Sequence, residues 1–191
     1  MKVWELSPDA LDYCEYGFPE EEDRTQFKQI QESHLWRGRM VGSAWLPPIL
    51  LRNIQRKDGA FGYFMDFHVL FSQEAMAIFK PLLSGDVEWL PVLNDQRGLY
   101  YMNALAQVDC IDYDRSKFKR AEISGKITAV QRFEFLPERI GDRLVFKIPV
   151  FGLGHHVMVT DRFQAVCEEN QLSGLDFSTD NLLWSSTKLT S

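Results

Sequence analysis

The clearest pattern of hydrophobic and polar positions occurs twice, and each time it predicts a short helix between two strands. In residues 71–89, Ser72 precedes apolar residues at helical spacing, and Gly85 follows them. In residues 159–177, Thr160 and Gly174 occupy the corresponding positions. Serine and threonine can cap the first turn of a helix, and glycine readily adopts the left-handed conformation that ends one. The pattern therefore predicts two main helices, which begin after Ser72 and Thr160.

Alternating apolar and polar residues predict strands around these helices. The alternation indicates a strand over residues 63–69, a hairpin of residues 87–93 with 99–108, and a second hairpin of residues 127–135 with 144–150. Both faces of the segment 99–108 are largely apolar, which is typical of a central strand. Strands with only two clear helices favour an α+β fold, in which a mixed or antiparallel sheet packs against the two main helices.

The same pattern divides the chain into three parts. Residues 63–178 carry the readable α+β core, and residues 1–62 form a variable N-terminal region with a weak helical pattern over residues 25–36. Residues 179–191 form a tail rich in serine and threonine. A chain of 191 residues can bury roughly 70% of its unfolded surface, so one globular domain overall is expected.

Composition indicates an ordinary cytoplasmic protein. The sequence has no apolar run near the roughly 20 residues needed to span a bilayer, and its start lacks the apolar stretch of a signal peptide. Cys14, Cys110 and Cys167 are widely separated and form no Cys-x-x-Cys pair. We therefore expect reduced, buried thiols and neither a disulfide framework nor a zinc site.

The net charge of −6 originates in one segment near the N-terminus, residues 9–23, which we call the acidic segment. It has seven acids and no lysine or arginine, which leaves 20 acids against 21 bases in the rest of the chain. Charge of this kind steers a cationic partner and disfavours nucleic acid, and the interspersed aromatic rings can supply contact area. The candidate partner-binding residues are Asp9, Asp12, Tyr13, Glu15, Tyr16, Phe18, Glu20, Glu21, Glu22 and Asp23.

A simpler interpretation stays open for the same segment. Gly17 and Pro19 interrupt any regular helix there, and a run of acids often forms a solvated, flexible surface stretch that only aids solubility.

The sequence predicts no catalytic, cofactor-binding or metal-binding residues. His155 and His156 are adjacent and would point to opposite faces of a strand, so ordinary histidines are favoured over metal ligands. The acids between Asp109 and Asp114 lack the glycine turn of a calcium loop. Phosphate-binding, dinucleotide-binding and nucleophile-elbow motifs are missing as well, so we do not expect an enzyme.

Several short segments occur in an order and spacing that point to a known family. They are Phe71-Ser72, residues 83–92, 100–105, 108–109, 145–149, 159–163 and 172–177. Through them, residues 63–178 resemble the immunity proteins of bacterial polymorphic toxin systems, specifically the family numbered eleven, formerly a domain of unknown function.

The resemblance implies a small cytosolic protein that binds and neutralises a toxin encoded beside it. It supplies no catalytic residues, because the family is not characterised by an active site. Residues 1–62 lie outside the resemblance and contain the acidic segment, so we expect stoichiometric inhibition in which this segment occupies a basic cleft of the toxin. Two alternatives are an adaptor or chaperone for a secreted effector and a hydrolase that acts on a toxin product.

Overall fold

The structure is a computed structural model, and it describes residues 1–54, 56–65, 68–94, 97–122, 124–125, 127–150 and 156–186. Its helices are α1 (Glu21–Ser33), α2 (Gln73–Leu82), α3 (Pro137–Ile140) and α4 (Asp161–Glu169). Its strands are β1 (Lys2–Glu5), β2 (Glu15–Gly17), β3 (Leu51–Ile54), β4 (Phe61–Phe64), β5 (His68–Ser72), β6 (Val87–Val92), β7 (Leu99–Ala104), β8 (Lys117–Arg120), β9 (Ile127–Arg132), β10 (Val145–Phe146), β11 (Met158–Thr160) and β12 (Leu182–Ser185).

The strands form two larger sheets and one hairpin, which confirms the predicted α+β class. The six-stranded sheet has the order β3-β2-β4-β5-β7-β6, and it is mixed because β2 and β4 pair in parallel. The four-stranded sheet has the order β10-β11-β1-β12 and is antiparallel. Strands β8 and β9 form a separate two-stranded sheet, and within the described ranges neither pairs with another strand. The first 62 residues supply strands to both larger sheets.

Three clusters of buried apolar side chains fill the structure. The first joins the two larger sheets through α2 and α4, whose Phe79 and Phe163 rings stack with centroids 4.3 Å apart. The second lies under α1, where Phe27 meets Phe64 edge-on at 5.2 Å. The third surrounds Phe146, beside the four-stranded sheet. Because β5 and β7 contribute to both the first and the second cluster, both faces of the six-stranded sheet are covered.

Polar side chains attach the stretch after α1 to the rest of the fold. The buried Lys147 Nζ donates a hydrogen bond to the carbonyl of Leu35, and the Gln107 amide donates to the carbonyl of Arg37. The Glu88 carboxylate accepts from the backbone N–H groups of Val41 and Gly42, each at 2.8 Å. Residues 35–42 lie outside the sheets, and these side chains supply hydrogen-bond partners for their backbone N–H and C=O groups.

Both predicted main helices are present, but only one has the predicted cap. The Ser72 hydroxyl accepts from the Ala75 N–H at 3.2 Å and caps α2. Thr160 makes no cap bond, and its hydroxyl instead donates to the carbonyl of Arg143 at 3.0 Å. Gly174 has the predicted positive φ, +112°, although α4 ends at Glu169, so the glycine serves a close approach to Phe61 and not the helix end.

The predicted hairpin of residues 87–93 with 99–108 is confirmed as β6 and β7, and β7 is an interior strand of its sheet as expected. Two other strand predictions were wrong. Residues 63–69 do not form one strand, because the chain turns at Met65 (φ +42°) and folds back as the β4–β5 hairpin. Asp66 and Phe67 lie outside the described residues.

The second predicted hairpin was also wrong. Strand β9 pairs with β8, and β10 pairs with β11, so residues 127–135 and 144–150 do not form a ladder together. The longest helix, α1, begins at Glu21, four residues before the weak pattern indicated. It buries Phe27 against the six-stranded sheet, and this packing stabilises a helix whose periodicity alone is poor.

Candidate partner-binding surface

The acidic segment starts in a tight turn that the Asp9 carboxylate holds together. Asp9 Oδ1 accepts from the N–H groups of Leu11 and Asp12 at 3.3 and 3.2 Å, which is the local side-chain bonding typical of aspartate in turns. The Asp12 carboxylate pairs with Lys57 Nζ at 3.0 Å. This hydrogen bond is the main cause of a raised pKa at Lys57. Of these two acids, Asp9 thus serves the turn, and the exposed Asp12 already has a cationic neighbour.

The middle of the segment is the short strand β2. Tyr13 packs its ring over Gly59, where a side-chain Cβ would lie 2.6 Å from the ring. The side chains of Glu15 and Tyr16 point to opposite faces of the sheet. Glu15 is partly exposed, whereas Tyr16 is only 1% exposed and packs in the second core cluster. Tyr16 therefore supplies no accessible ring to a partner.

Phe18 connects β2 to the start of α1. Its ring packs against Phe27 and Phe64 with centroid distances of 5.6 and 5.3 Å. Pro19 follows and fixes the backbone before the helix, as expected for a residue that interrupts regular structure. The aromatic residue thus anchors the beginning of α1 to the sheet, while its partial exposure leaves one side accessible.

Four consecutive acids, Glu20 to Asp23, form the start of α1. Glu20 is the N-cap residue and makes no side-chain cap bond, and the other three lie in the first turn. Carboxylates are favourable there because the unpaired N–H groups and the helix dipole present positive charge. Glu20, Glu21 and Glu22 are exposed, and Glu21 lies 3.6 Å from Arg24 in a solvent-exposed pair. The helix start therefore concentrates negative charge on a rigid element.

A cleft of about 360 Å³ lies between the helix start and the six-stranded sheet. Three acids of the segment line it: Glu15, Glu20 and Glu21. The other lining residues are Tyr16, Gly17, Phe18, Pro19, Arg24, Asn53, Tyr63 and Met65. Among the described residues, the lining has three carboxylates and one guanidinium and thus a net negative charge, and the partly exposed Phe18 and Tyr63 add aromatic rings.

The structure thus brings together some of the sequence-predicted residues and separates others. Glu15, Phe18, Glu20 and Glu21 meet at the cleft, and Glu22 and Asp23 continue from it along α1. Asp9, Asp12 and Tyr13 belong to the turn that packs beside Lys57 and Gly59. The segment consists of a turn, a strand and a helix start, so the backbone of its exposed acids belongs to regular structure.

Sequence reasoning missed the cleft residues outside the segment. Asn53, Tyr63 and Met65 come from β3, β4 and the turn after β4, and their proximity depends on strand pairing. The parallel pairing of Glu15 with Tyr63 is the contact that joins the two parts. No local sequence signal predicts a parallel pair between segments so far apart in the chain.

Within the described residues, the histidines and the acids between Asp109 and Asp114 form no further candidate site. His156 pairs with Glu5 across the four-stranded sheet, and His155 lies outside the described residues. Asp109 and Asp112 pair with Arg139 and Arg115. No group of three or more His, Cys, Asp or Glu side chains within the described residues is arranged to hold a metal ion.

The cysteines have the buried, unbridged state that the sequence predicts. Cys14, Cys110 and Cys167 are all buried and free. Burial raises the pKa of the Cys110 and Cys167 thiols to about 12, so both stay protonated near neutral pH. Neither thiol has the reactivity of a nucleophile. Among the helices of the described ranges, none is long and apolar enough to cross a membrane.

The fold and the surface together define a class, an α+β protein whose candidate site is a charged, partly aromatic binding surface. Comparison with protein families then gives a match to part of the chain. The model of the immunity protein family (Imm11) matches residues 93–180, from the end of β6 to the residues before β12. This match confirms the resemblance inferred from the sequence, and it covers a somewhat smaller part of the chain than the resemblance did. No curated protein sequence matches the chain.

Proposed function

We propose that the protein is an immunity protein of a bacterial polymorphic toxin system, which acts in the cytoplasm by binding a cognate toxin and inhibiting it stoichiometrically. The family match over residues 93–180 is the observation that carries the proposal, since it supports an immunity function in general terms. The family is one of inhibitors, which favours binding over catalysis. The specific mechanism rests on the candidate surface.

The acidic cleft and the start of α1 supply the inhibitory contact. Toxins that act on nucleic acid or nucleotides often bind their substrates in basic clefts, and a rigid cluster of carboxylates can occupy such a cleft. Because Glu20, Glu21 and Glu22 are exposed on one helix turn, they can approach a basic surface together without ordering a flexible loop. The partly exposed Phe18 adds an aromatic contact beside them.

Long-range attraction should appear mainly in the association rate. Charge complementarity raises association rates well above those of neutral pairs at low salt, and screening reduces this gain as the Debye length falls to about 10 Å at 0.1 M salt. The proposal therefore predicts toxin binding that slows markedly as salt is added. The concentration of net charge in the acidic segment makes that segment the origin of the effect.

The test is a titration of the toxin encoded by the adjacent gene with the purified protein. We expect toxin activity to fall linearly and to end at one equivalent of the protein. The variant E20Q/E21Q/E22Q/D23N should associate about tenfold more slowly at low salt, with a smaller difference at high salt. An unchanged association rate and salt dependence would show that the acidic segment does not drive binding.

A matched variant controls for the change in net charge. The quadruple variant E122Q/E138Q/E169Q/D180N removes the same charge from exposed positions outside the segment, and it should associate at nearly the unaltered rate. Loss of the first-turn acids also weakens α1 by about 0.3–1 kcal/mol for each charge, so both variants need a thermal unfolding curve. Binding without inhibition would favour an adaptor or chaperone, and catalytic turnover would favour a hydrolase.

A further inference from the structure

Strand β3 is an edge strand with an unusual composition. It lies at the end of the six-stranded sheet, and two of its four side chains are exposed apolar ones, Leu51 at 44% and Ile54 at 38%. An edge strand presents unpaired N–H and C=O groups to its surroundings. Natural proteins usually protect such an edge with lysine, proline or a covering segment. The sequence of β3, Leu-Arg-Asn-Ile, has only Arg52 as a charge.

That one charge does not protect the exposed face of β3. Strand pairing sets Arg52 opposite the buried Tyr16, and the guanidinium pairs with Asp58 at 2.6 Å. Leu51 pairs with Gly17, and Ile54 pairs with Glu15. The β2–β3 ladder has an irregularity between Arg52 and Ile54, where Asn53 is the extra residue. Leu51 and Ile54 are three residues apart, and this irregularity places both on the face that carries Glu15.

The opposite edge of the same sheet is covered. The Trp45 indole N–H donates to the carbonyl of Pro91 in β6 at 2.8 Å. Residues 48–50, which lead directly into β3, form a parallel bridge just beyond β6: Leu50 N donates to Leu93 O and Leu93 N donates to Pro48 O, each at 2.9 Å. The end of β6 is thus paired with the chain that leads into β3, whereas within the described residues no strand lies beyond Leu51–Ile54 in the sheet order.

We infer that β3 accepts an extended, basic segment of the toxin as an added strand of the six-stranded sheet. The inference rests on the proposed function and specifies how the toxin is held. Charge complementarity identifies the occupant, because Asn53 of β3 lines the same cleft as Glu15, Glu20 and Glu21. A strand added beside β3 would therefore lie next to both an apolar strip and a row of carboxylates.

Lysine and arginine fit this surface better than other side chains. Their apolar stems can pack on Leu51 and Ile54 while the charged ends reach toward Glu15 and the start of α1. Main-chain hydrogen bonds to β3 supply affinity that depends little on sequence, and the carboxylates select for positive charge. The expected partner segment is therefore extended and has basic residues at alternate positions, so that the basic side chains lie on one face of the added strand.

Amide hydrogen exchange of the complex tests this arrangement directly. With the adjacent-gene toxin bound, exchange of the amides of residues 51–54 should slow by at least about tenfold, because strand addition bonds the outward N–H groups. A contact through side chains alone would leave these amides unprotected. Toxin binding with unchanged exchange across β3 overturns the inference and leaves the proposed function standing.

Paired variants give a second measurement. L51K/I54K places positive charge against the basic segment and should weaken toxin binding at least about tenfold. The control M40K/L82K removes two other exposed apolar side chains, at 65% and 49% exposure, and should bind nearly as well as the unaltered chain. Equal affinity of the two variants, or β3 protection that rises with protein concentration without toxin, contradicts a toxin strand. Failure of the unaltered protein to bind toxin overturns the proposed function, and the inference with it.

Discussion

Lys147 offers a sharp test of the packing between α1 and the rest of the fold. Its side chain is 3% exposed, and its ammonium group donates to the carbonyl of Leu35 just after α1. Among the described residues it has no carboxylate within ion-pair distance. Desolvation by burial lowers the pKa of Lys147 from 10.5 to about 8, because no opposite charge compensates for the loss of water.

The direction of the pH effect follows from this lowered pKa. Between pH 8 and 10.5 the unfolded chain holds the proton of this lysine more often than the folded chain does. The free energy of unfolding therefore rises with pH across that window. Over the whole window the change would be about 3 kcal/mol, and between pH 7 and pH 9 it is about 1 kcal/mol.

The assay compares the unaltered protein with K147M in urea, followed by tryptophan fluorescence. The variant keeps the length and apolar stem of the side chain but has no titrating group. We expect the free energy of unfolding of the unaltered protein, minus that of K147M, to increase by about 1 kcal/mol from pH 7 to pH 9. Using this difference removes the opposite effect of Cys110 and Cys167, whose raised pKa values lower stability above about pH 9.

A difference between the two proteins that is the same at pH 7 and pH 9 would refute the reasoning. It would mean that Lys147 keeps contact with water in the folded state. K80M removes a lysine from an exposed position in the last turn of α2 and controls for the loss of one positive charge.

Three further changes test the core, a close approach and a cap by chemical denaturation. F163A removes the ring stacked on Phe79 and should cost about 3–5 kcal/mol; a loss below about 1 kcal/mol would contradict tight packing there. G174A should destabilise by more than G85A, since both glycines have positive φ but only at Gly174 would a Cβ meet backbone, 2.5 Å from Phe61 O. Equal losses would show that the backbone there relaxes freely. S72A should cost about 0.5–2 kcal/mol through loss of the α2 cap, and no loss would mean that water replaces the hydroxyl.

The sequence predicted best where one local pattern decided the structure. Ser72 and the apolar stripe behind it define α2, and the turn-rich loop between residues 93 and 99 defines the β6–β7 hairpin. Strand prediction failed where the apolar–polar alternation continued through a turn, as at Met65, because the alternation carries no information about a reversal of the backbone. It also failed where the partner of a strand was distant, as for β9 and β10.

The candidate surface, too, was predictable from the sequence only in part. The charge of the acidic segment was visible in the sequence, and the exposed start of α1 agrees with it. The burial of Tyr16 was not visible, because β2 is too short for its alternation to distinguish the inner from the outer face. The cleft with Asn53 and Tyr63 depends on one parallel and one antiparallel pairing, neither of which leaves a local signal.

Strand β1 has a consequence for synthesis on the ribosome. It lies between β11 (Met158–Thr160) and β12 (Leu182–Ser185), so both of its neighbours are made long after β1 itself. Contacts so distant in sequence form slowly, and β1 must wait with Val3 and Trp4 uncovered until β11 and β12 emerge. The four-stranded sheet therefore forms only after residues 158–185 have been made, and a product that ends before β11 cannot form it.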